Sequence, residues 1–419
     1  MDLGQPGDWA FKGEGNANVV FGYTGSRSDL VGRVLKVRKS LRRACSVGKT
    51  AQQELENDVW APVLGQHQAS PLALELIYTE QCLMPLLGSE YVPSQIKPKC
   101  GYVTASPAIH PDNHIKQTRS RYQLHQLLKV AEGKLAAASS YDPLDLFSNQ
   151  PQRMLAALRA LFAHPQNNLR LFFGGAPVGL QEGLSKWAAV GHDPATVDNA
   201  TAAATEATDA EPDAGLEELL KVLVQILLLE GVLNRLLSAQ QHCEVDIEGI
   251  FALYCKLLSR VSSAQQATTE DSSTSLGSSQ LLATHHQGVQ EVLSLPTSEA
   301  YSLLRRYVVS ATAKDCALMI SLRRLASATE GRELQQRGGK VVCSTSDVLA
   351  SCVEGLNHAV VLEDSVSSSG QQWYQYQVAF VDLDMKALAK IPQHFELDQR
   401  IVKVAREQQE NQQQLRIDG

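Results

Sequence analysis

Residues 9–23 read WAFKGEGNANVVFGY: an apolar run, a glycine-rich segment and a second apolar run. Residues 31–37, VGRVLKV, continue with β-branched residues that alternate with polar or small ones. Such alternation is typical of β-strands, and glycines between two strands are typical of a turn. The N-terminal part of the chain is therefore predicted to be strand, glycine-rich turn, strand, loop and strand.

Helical patterns dominate the rest of the chain, so the fold class that we predict is α+β. Short strands are predicted at residues 96–102 and 169–173. Residues 191–214 and 262–280 contain few bulky side chains, which predicts solvated insertions rather than parts of a core. The predicted helices are residues 51–90, 119–138, 152–163, 216–237, 247–261 and 298–309, with a frayed helix at 402–419.

The composition limits the classes of protein that fit. The 419 residues are 44% hydrophobic with a net charge of −7, which excludes wholesale disorder and argues against a nucleic-acid coat protein. The eight cysteines form no C-x-x-C pair, which is typical of free thiols in a reducing compartment. No signal peptide is recognised, and charges interrupt the most apolar stretch, 219–237. We expect a monomer in the nucleus or cytoplasm, with no nucleic-acid or membrane partner.

The glycines of the first turn have two interpretations. Gly13-x-Gly15 between strands, followed by a strand that carries Lys36, is the arrangement of a kinase-type nucleotide-binding lobe. A Rossmann site is excluded because a strand, not a helix, follows the glycines. An ordinary hairpin turn remains the alternative on this feature alone.

Two clusters of basic residues indicate an anionic ligand, although each also has a simpler explanation. Residues 26–50 carry many Lys and Arg side chains, including Arg42, against one Asp. They form either a solvated face, a nuclear-targeting patch or the rim of a polyanion site. Arg121, His125 and Lys129 are four residues apart and share one face of a predicted helix. They form either a solvated stripe or an anion site.

Carboxylates suggest where chemistry takes place. Asp382 and Asp384 follow a predicted strand, a usual place for Mg²⁺ beside nucleotide phosphates, and Lys386 and Lys390 follow at four-residue spacing. Asp315 precedes the apolar run 317–322 and is interpreted either as a general base or as a helix N-cap.

Six motifs in the same order over nearly the whole chain resemble those of the inositol-pentakisphosphate 2-kinase family, and the plant and algal members are most similar. The motifs are GEGNAN at 13–18, IKPKCG at 96–101, YDPLDLF at 141–147, PQNNLR at 165–170, TAKDC at 312–316 and VDLDMK at 381–386. The resemblance implies an ATP-dependent kinase that phosphorylates the 2-hydroxyl of inositol 1,3,4,5,6-pentakisphosphate to give the hexakisphosphate, phytate. It implies a two-lobed fold distantly like protein kinases, with lobes at residues 1–94 and 95–419 and a shortened N-terminal lobe.

The resemblance also implies a role for each matching residue. Asp315 is the expected base, and Lys97 is expected to stabilise charge on the transferred phosphoryl group. Asp382 is expected to hold Mg²⁺ with help from Asp384. The residues expected on the nucleotide phosphates are Gly15, Asn16, Ala17, Asn18 and Lys36. The residues expected to bind inositol phosphates are Lys99, Arg121, His125, Lys129, Asn167, Asn168, Arg170, Lys386, Lys390 and, with the weakest match, Arg42. A ligand with five phosphates requires this many cations, because each phosphate carries roughly −1.5 to −2 charges.

The sequence departs from the family pattern in four places. The segment between residues 88 and 96 is too short for the N-lobe strands and adenine-binding hinge, which leaves open an inositol-phosphate-binding protein without kinase activity. A helical scaffold with relic motifs is the remaining alternative. His394 stands where the family has a tyrosine on the substrate, and Lys390 where it has an arginine. The zinc-site spacing of plant members is not reproduced by Cys255, His285 and His286, so we expect no structural zinc.

Overall fold

The structure of the protein is a computed structural model. The described residues are 5–14, 18–28, 30, 34–38, 50–64, 71–92, 119–166, 168–189, 212–266, 287–344 and 372–417. The chain divides into two compact units, Met1–Thr50 and Ala51–Gly419. The lobe boundary predicted at residues 94 and 95 lies outside the described residues and stays a prediction.

The first unit contains a three-stranded antiparallel sheet of β1 (Trp9–Glu14), β2 (Asn18–Tyr23) and β3 (Val34–Arg38), in that order. A bulge interrupts the pairing between Phe11 and Gly13, just before the glycine-rich turn. The three predicted strands are confirmed in their predicted order, whereas residues 15–17 of the glycine-rich segment and residues 31–33 before β3 lie outside the described residues.

The second unit is mainly helical, and its helices surround one large apolar core. Its α-helices are α1 (Ala51–Leu64), α2 (Pro71–Tyr78), α3 (Met84–Leu87), α4 (Arg121–Ala131), α5 (Pro143–Leu146), α6 (Pro151–Ala163), α7 (Leu180–Ala189), α8 (Pro212–Glu230), α9 (Val232–Gln240), α10 (Ile247–Gln266), α11 (Gln287–Ser294), α12 (Thr297–Asp315), α13 (Ala328–Gln336) and α14 (Ile391–Ile417). A π-helical segment, Thr79–Leu83, joins α2 to α3. The mixture of helices and small sheets confirms the α+β class.

The described strands of the second unit form two small antiparallel sheets. A hairpin pairs β4 (Leu171–Phe173) with β5 (Ala176–Val178). A three-stranded sheet has the order β6 (Ala317–Arg324), β8 (Gln372–Val381), β7 (Val341–Ser344), so that the central strand is the last in sequence. The pairing of Ala317 with Val381 brings the start of β6 and the end of β8 to the same edge of the sheet.

One predicted helix is two helices. Residues 216–237 are apolar enough to read as one element, but the chain bends by 67° between α8 and α9. Gly231 lies at the bend with a φ of 58°, a left-handed conformation that glycine adopts at little cost. No single described helix is long and apolar enough to cross a membrane, and this bent pair passes the same test only when its two helices are taken together.

Other predicted boundaries also move. α4 ends at Ala131 rather than at residue 138, and Gly133 beyond it has a left-handed φ of 69°. α12 continues to Asp315, and α10 continues to Gln266, so the start of the insertion predicted at 262–280 is helical. The predicted strand at 96–102 and most of the insertion at 191–214 lie outside the described residues.

An apolar seam joins α4 to α14. Leu124 and Leu128 of α4 pack against Ile401, Val402 and Ala405 of α14. Each fully buried leucine contributes about 1.5–3 kcal/mol relative to an exposed one, so this seam holds the two helices side by side. The basic stripe of α4 and the N-terminal turns of α14 therefore keep a fixed relation to each other.

Candidate functional site

Asp315 and Asp382 lie at one edge of the β6–β8–β7 sheet. Asp315 is the last residue of α12, two positions before β6, and Asp382 directly follows β8. Because Ala317 pairs with Val381, the two acidic residues flank neighbouring strand ends. The N-cap interpretation of Asp315 is wrong, since this residue ends a helix and the apolar run after it is strand β6.

The loop after β8 is held against α12. The hydroxyl of the buried Thr312 donates to the main-chain oxygen of Asp384 (3.4 Å) and accepts from Tyr78 Oη (2.8 Å). Asp382 has a φ of 59°, a left-handed conformation that aspartate tolerates better than most residues. This backbone turns the chain sharply where the two carboxylates leave the sheet.

Two lysines follow the carboxylates, but neither lies on an α-helix. Lys386 lies in the loop, Lys390 ends a 3₁₀ turn (Leu388–Lys390), and α14 begins only at Ile391. The four-residue spacing of these two lysines therefore does not correspond to one face of an α-helix. Lys386 Nζ forms an ion pair with Asp315 Oδ2, and the Asp315 side chain is 67% exposed.

The stripe on α4 is confirmed as a helical face. Ser120 and Gln123 form a reciprocal capping box that starts the helix, with both hydrogen bonds at 3.2 Å. Arg121 forms an ion pair with Asp398 of α14. Burial lowers the pKa of His125, and so do the positive charges of Lys129 and Arg121.

His394, in the first turns of α14, belongs to the same cluster. Its Nδ1 lies 2.9 Å from the hydroxyl of Tyr307, a residue of α12. Burial lowers the pKa of His394, and the nearby charges of Arg121, Lys386 and Lys390 lower it further. Charges from α4, the loop after β8 and the 3₁₀ turn therefore act on one imidazole, and the charge of Asp315 opposes them.

The PQNNLR motif reaches α4 through one described side chain. Asn168 Nδ2 donates to the hydroxyl of Tyr122 (3.0 Å), which follows Arg121 in the first turn of α4. Arg170 is exposed directly before β4. Asn167 lies outside the described residues.

The remaining predicted residues fall in two regions. In the first unit, Asn18 begins β2 and Lys36 lies in the middle of β3, where it pairs with Val20. The rest lie outside the part of the chain that the structure describes, namely Gly15, Asn16, Ala17, Arg42, Lys97 and Lys99.

Sequence reasoning missed two side chains of this cluster. Asp398 is 3% exposed and pairs with Arg121, and Tyr307 contacts His394. A lone aspartate and a lone tyrosine in helical patterns carry no sequence signal, because their partners are distant in sequence.

The carboxylates suit a magnesium ion that is shared with phosphates. Mg²⁺ binds one or two carboxylates and completes its shell with water and phosphate oxygens. Asp382 and Asp384 supply such a pair at the sheet edge. Among the described residues, no group of three or more His, Cys, Asp or Glu side chains is placed to hold a metal ion. Asp382 and Asp384 are the residues that would hold such an ion.

Comparison with known families gives a match along nearly the whole chain. The family model for inositol-pentakisphosphate 2-kinase matches residues 11–96 and 94–400. A protein of Oryza sativa subsp. indica described as an inositol-pentakisphosphate 2-kinase is 28% identical over 466 residues, covering 95% of this chain and 93% of that protein.

Two further relatives have the same description. The one from Arabidopsis thaliana is 24% identical over 467 residues, which cover 94% of this chain and 92% of its own length. The one from Danio rerio is 24% identical over 517 residues, which cover 96% and 94% respectively. The similarity therefore includes both compact units of this chain.

Proposed function

Because this chain belongs to the inositol-pentakisphosphate 2-kinase family, we propose that it transfers the γ-phosphoryl group of ATP to the 2-hydroxyl of inositol 1,3,4,5,6-pentakisphosphate. The product is inositol hexakisphosphate. The family match supports a kinase, and nothing in the comparisons supports the alternative of an inositol-phosphate-binding protein without kinase activity.

The observation that carries this proposal is the sheet edge where Asp315 and Asp382 meet a group of cations. Phosphoryl transfer needs a base for the attacking hydroxyl, oxygen ligands for Mg²⁺ and positive charge for the phosphates. Asp315 supplies the base, and Asp382 and Asp384 supply the oxygen ligands for Mg²⁺. Lys386 supplies positive charge, and all four residues lie beside the paired ends of β6 and β8.

Asp315 has the exposure that a general base needs. Its carboxylate is two-thirds open and can accept the proton of the 2-hydroxyl as that oxygen attacks the γ-phosphorus and ADP leaves. Lys97, by family resemblance, stabilises the charge on the transferred group. Mg²⁺, when bound, would neutralise phosphate charge, with Asp382 and Asp384 as its protein ligands.

The inositol phosphates bind, in this proposal, to the cations of α4 and of the segment that leads into α14. Arg121 offers a planar fork that can bind a phosphate through two hydrogen bonds, whereas Lys129, Lys386 and Lys390 act as point charges. Asn168 and Arg170 extend the site from the PQNNLR motif, with Lys99, Asn167 and Arg42 assigned by resemblance alone.

The nucleotide site is proposed for the first unit. Gly15, Asn16, Ala17 and Asn18 would contact the phosphates at the turn between β1 and β2, and Lys36 on β3 would pair with them. The two segments matched by the family model meet at residues 94–96, which supports the prediction that the chain is shortened there. We propose a two-lobed kinase with a small N-terminal lobe, divided at residues 94 and 95.

We also propose that the protein has no structural zinc ion, that it is a monomer and that it is located in the nucleus or cytoplasm. The prediction of no zinc rests on residue spacing, since Cys255, His285 and His286 do not reproduce the family pattern. Metal analysis of purified protein that finds about one zinc per chain would contradict this, because structural zinc binds tightly.

The test is a transfer assay on the full 419-residue chain with Mg-ATP and inositol 1,3,4,5,6-pentakisphosphate. Calorimetric titrations of each ligand run in parallel. Formation of hexakisphosphate supports the proposal and shows that the short segment after residue 88 is sufficient. Pentakisphosphate binding without ATP binding or product would instead favour the non-catalytic alternative.

A further inference from the structure

Four side chains from three helices form a linked cluster in the candidate site. Asp398 and His394 are four residues apart on α14, so they share one face of that helix. Asp398 pairs with Arg121 of α4, and His394 contacts Tyr307 of α12. Burial raises the pKa of the Tyr307 hydroxyl, and the charge of Arg121 opposes this shift.

We propose that Asp398 and Tyr307 are positioning residues that hold Arg121 and His394 ready for the phosphates of the substrate. This inference rests on the proposed function, which assigns Arg121 to the inositol phosphates, and on the family resemblance, which places His394 where a tyrosine contacts the substrate. Neither positioning residue contacts the ligand itself. Their effect passes through the two side chains that they fix.

The pair of Asp398 and Arg121 has the asymmetry that this role requires. Asp398 is 3% exposed, whereas the Arg121 side chain is 51% exposed. A buried carboxylate without its partner is strongly unfavourable, so Asp398 keeps the guanidinium in one place. The ion pair uses Nη1 of Arg121, and a guanidinium has five N–H donors in total. The open side of the group therefore retains donors for a phosphate.

Tyr307 acts on the other side of the cluster. Its hydroxyl lies 2.9 Å from Nδ1 of His394, which fixes the plane of the imidazole and leaves Nε2 as the nitrogen for a ligand. Side chains that are already held in their bound orientation lose less conformational entropy when the ligand binds than side chains that move freely. Positioning of this kind affects affinity without adding any contact to the ligand.

Long-range electrostatics and positioning predict opposite effects for Asp398→Asn. The substitution keeps the shape of the side chain but removes one negative charge from a cationic site. Electrostatics alone would then tighten the binding of a polyanion. Positioning predicts weaker binding, because the amide no longer holds the guanidinium of Arg121.

The experiment measures binding of inositol 1,3,4,5,6-pentakisphosphate by calorimetry, together with KM and kcat in the transfer assay. Asp398→Asn is expected to weaken binding and raise KM about tenfold, a size that a small misplacement can produce, with a smaller change in kcat. In an Arg121→Ala background the same substitution should have almost no further effect. Equal or tighter binding by Asp398→Asn overturns the proposal.

A second variant avoids the risk that Asp398→Asn fails to fold. Tyr307→Phe removes only the hydroxyl, and binding should weaken about threefold, the size of one hydrogen bond. This loss should vanish in a His394→Phe background, and a loss that persists there overturns the role of Tyr307. The matched control is Glu217→Gln, which breaks the Arg159–Glu217 pair between α6 and α8 (2.6 Å) and should leave binding unchanged.

The two levels of inference can fail separately. A wild-type chain that neither binds nor phosphorylates the pentakisphosphate overturns the proposed function and this proposal together. A wild-type chain that does both, with Asp398→Asn and Tyr307→Phe variants that bind equally well, overturns only the positioning roles.

Discussion

Lys386, in the loop after β8, forms an ion pair with Asp315, the last residue of α12. The pair links a candidate phosphate ligand to the candidate base across the edge of the β6–β8–β7 sheet. A phosphate that binds Lys386 competes with this carboxylate for the same ammonium group. Substrate binding and base function are therefore coupled at one contact.

Substitution of Asp315 is expected to separate binding from turnover. Asp315→Asn removes the base, so kcat should fall by about 10²- to 10⁴-fold. Binding of the pentakisphosphate should be kept or tightened, because Lys386 loses the anion that competes with phosphate. Calorimetry and single-turnover measurements on the same preparation provide both quantities. Unchanged turnover would remove Asp315 from the role of base.

Features that depend on neighbouring residues were predictable from the sequence. The strands of the first unit and the stripe on α4 follow from alternation and four-residue spacing, which local backbone geometry determines. The same spacing between Lys386 and Lys390 does not mark a helical face, because spacing alone carries no information about where α14 begins. The break at Gly231 was hidden because apolar residues continue on both sides of it.

Features that depend on distant partners were not predictable in this way. The partners Arg121 and Asp398 are 277 positions apart, and Tyr307 and His394 are 87 apart. Only the packing of α4, α12 and α14 brings them together. Sequence motifs identified the residues expected to touch ligand, whereas the side chains that hold those residues required the structure.

Any side chain at position 231 is expected to destabilise the protein for a purely conformational reason. A Cβ there would meet nothing within 4 Å, yet its φ of 58° is left-handed. Gly231→Ala should therefore lower the free energy of unfolding by about 1–2 kcal/mol. Gly179→Ala is the matched control, because Gly179 also has open space but no positive φ. Denaturant unfolding of both variants measures the difference, and equal stabilities would contradict the prediction.

Asp382 permits a clean test of the metal assignment. Asparagine tolerates the left-handed backbone that Asp382 adopts, so Asp382→Asn removes the charge without adding strain. The variant should need more Mg²⁺ for half-maximal activity, and its turnover should fall about a hundredfold at fixed Mg²⁺. Asp382→Ala should show the same defect and also lose stability. A Mg²⁺ dependence equal to that of wild type in both variants would rule Asp382 out as a ligand.

The two histidines of the site should make substrate binding depend on pH. Burial is the main cause that lowers the pKa of both. Positive charges lower the pKa of His125 further, namely those of Lys129, Arg121, Lys134 and Arg400. The pKa of His394 is lowered further by Arg121, Lys386 and Lys390, and Asp315 opposes this effect. The protonated form of both imidazoles is therefore less favoured in the empty site than in an ordinary histidine, whose pKa is about 6.5.

Phosphates favour the protonated imidazole, so binding should take up protons at these residues, and affinity should fall as pH rises through the pKa values of the bound imidazoles. The stability of the empty protein should change in the opposite direction. Because the folded-state pKa values are depressed, this stability contribution is present above about pH 6.5 and is lost as pH falls through them.

Calorimetry in buffers of different ionisation enthalpy measures the protons taken up when the pentakisphosphate binds. The ligand's own phosphates also exchange protons, so the informative quantity is the difference between wild type and a His125→Asn/His394→Asn variant. That variant should take up fewer protons and show a flatter pH dependence of affinity. His164→Asn, an exposed control at the end of α6, should behave like wild type. Equal proton uptake by the double variant and wild type would contradict the prediction, because no other described histidine lies in this cluster of cations.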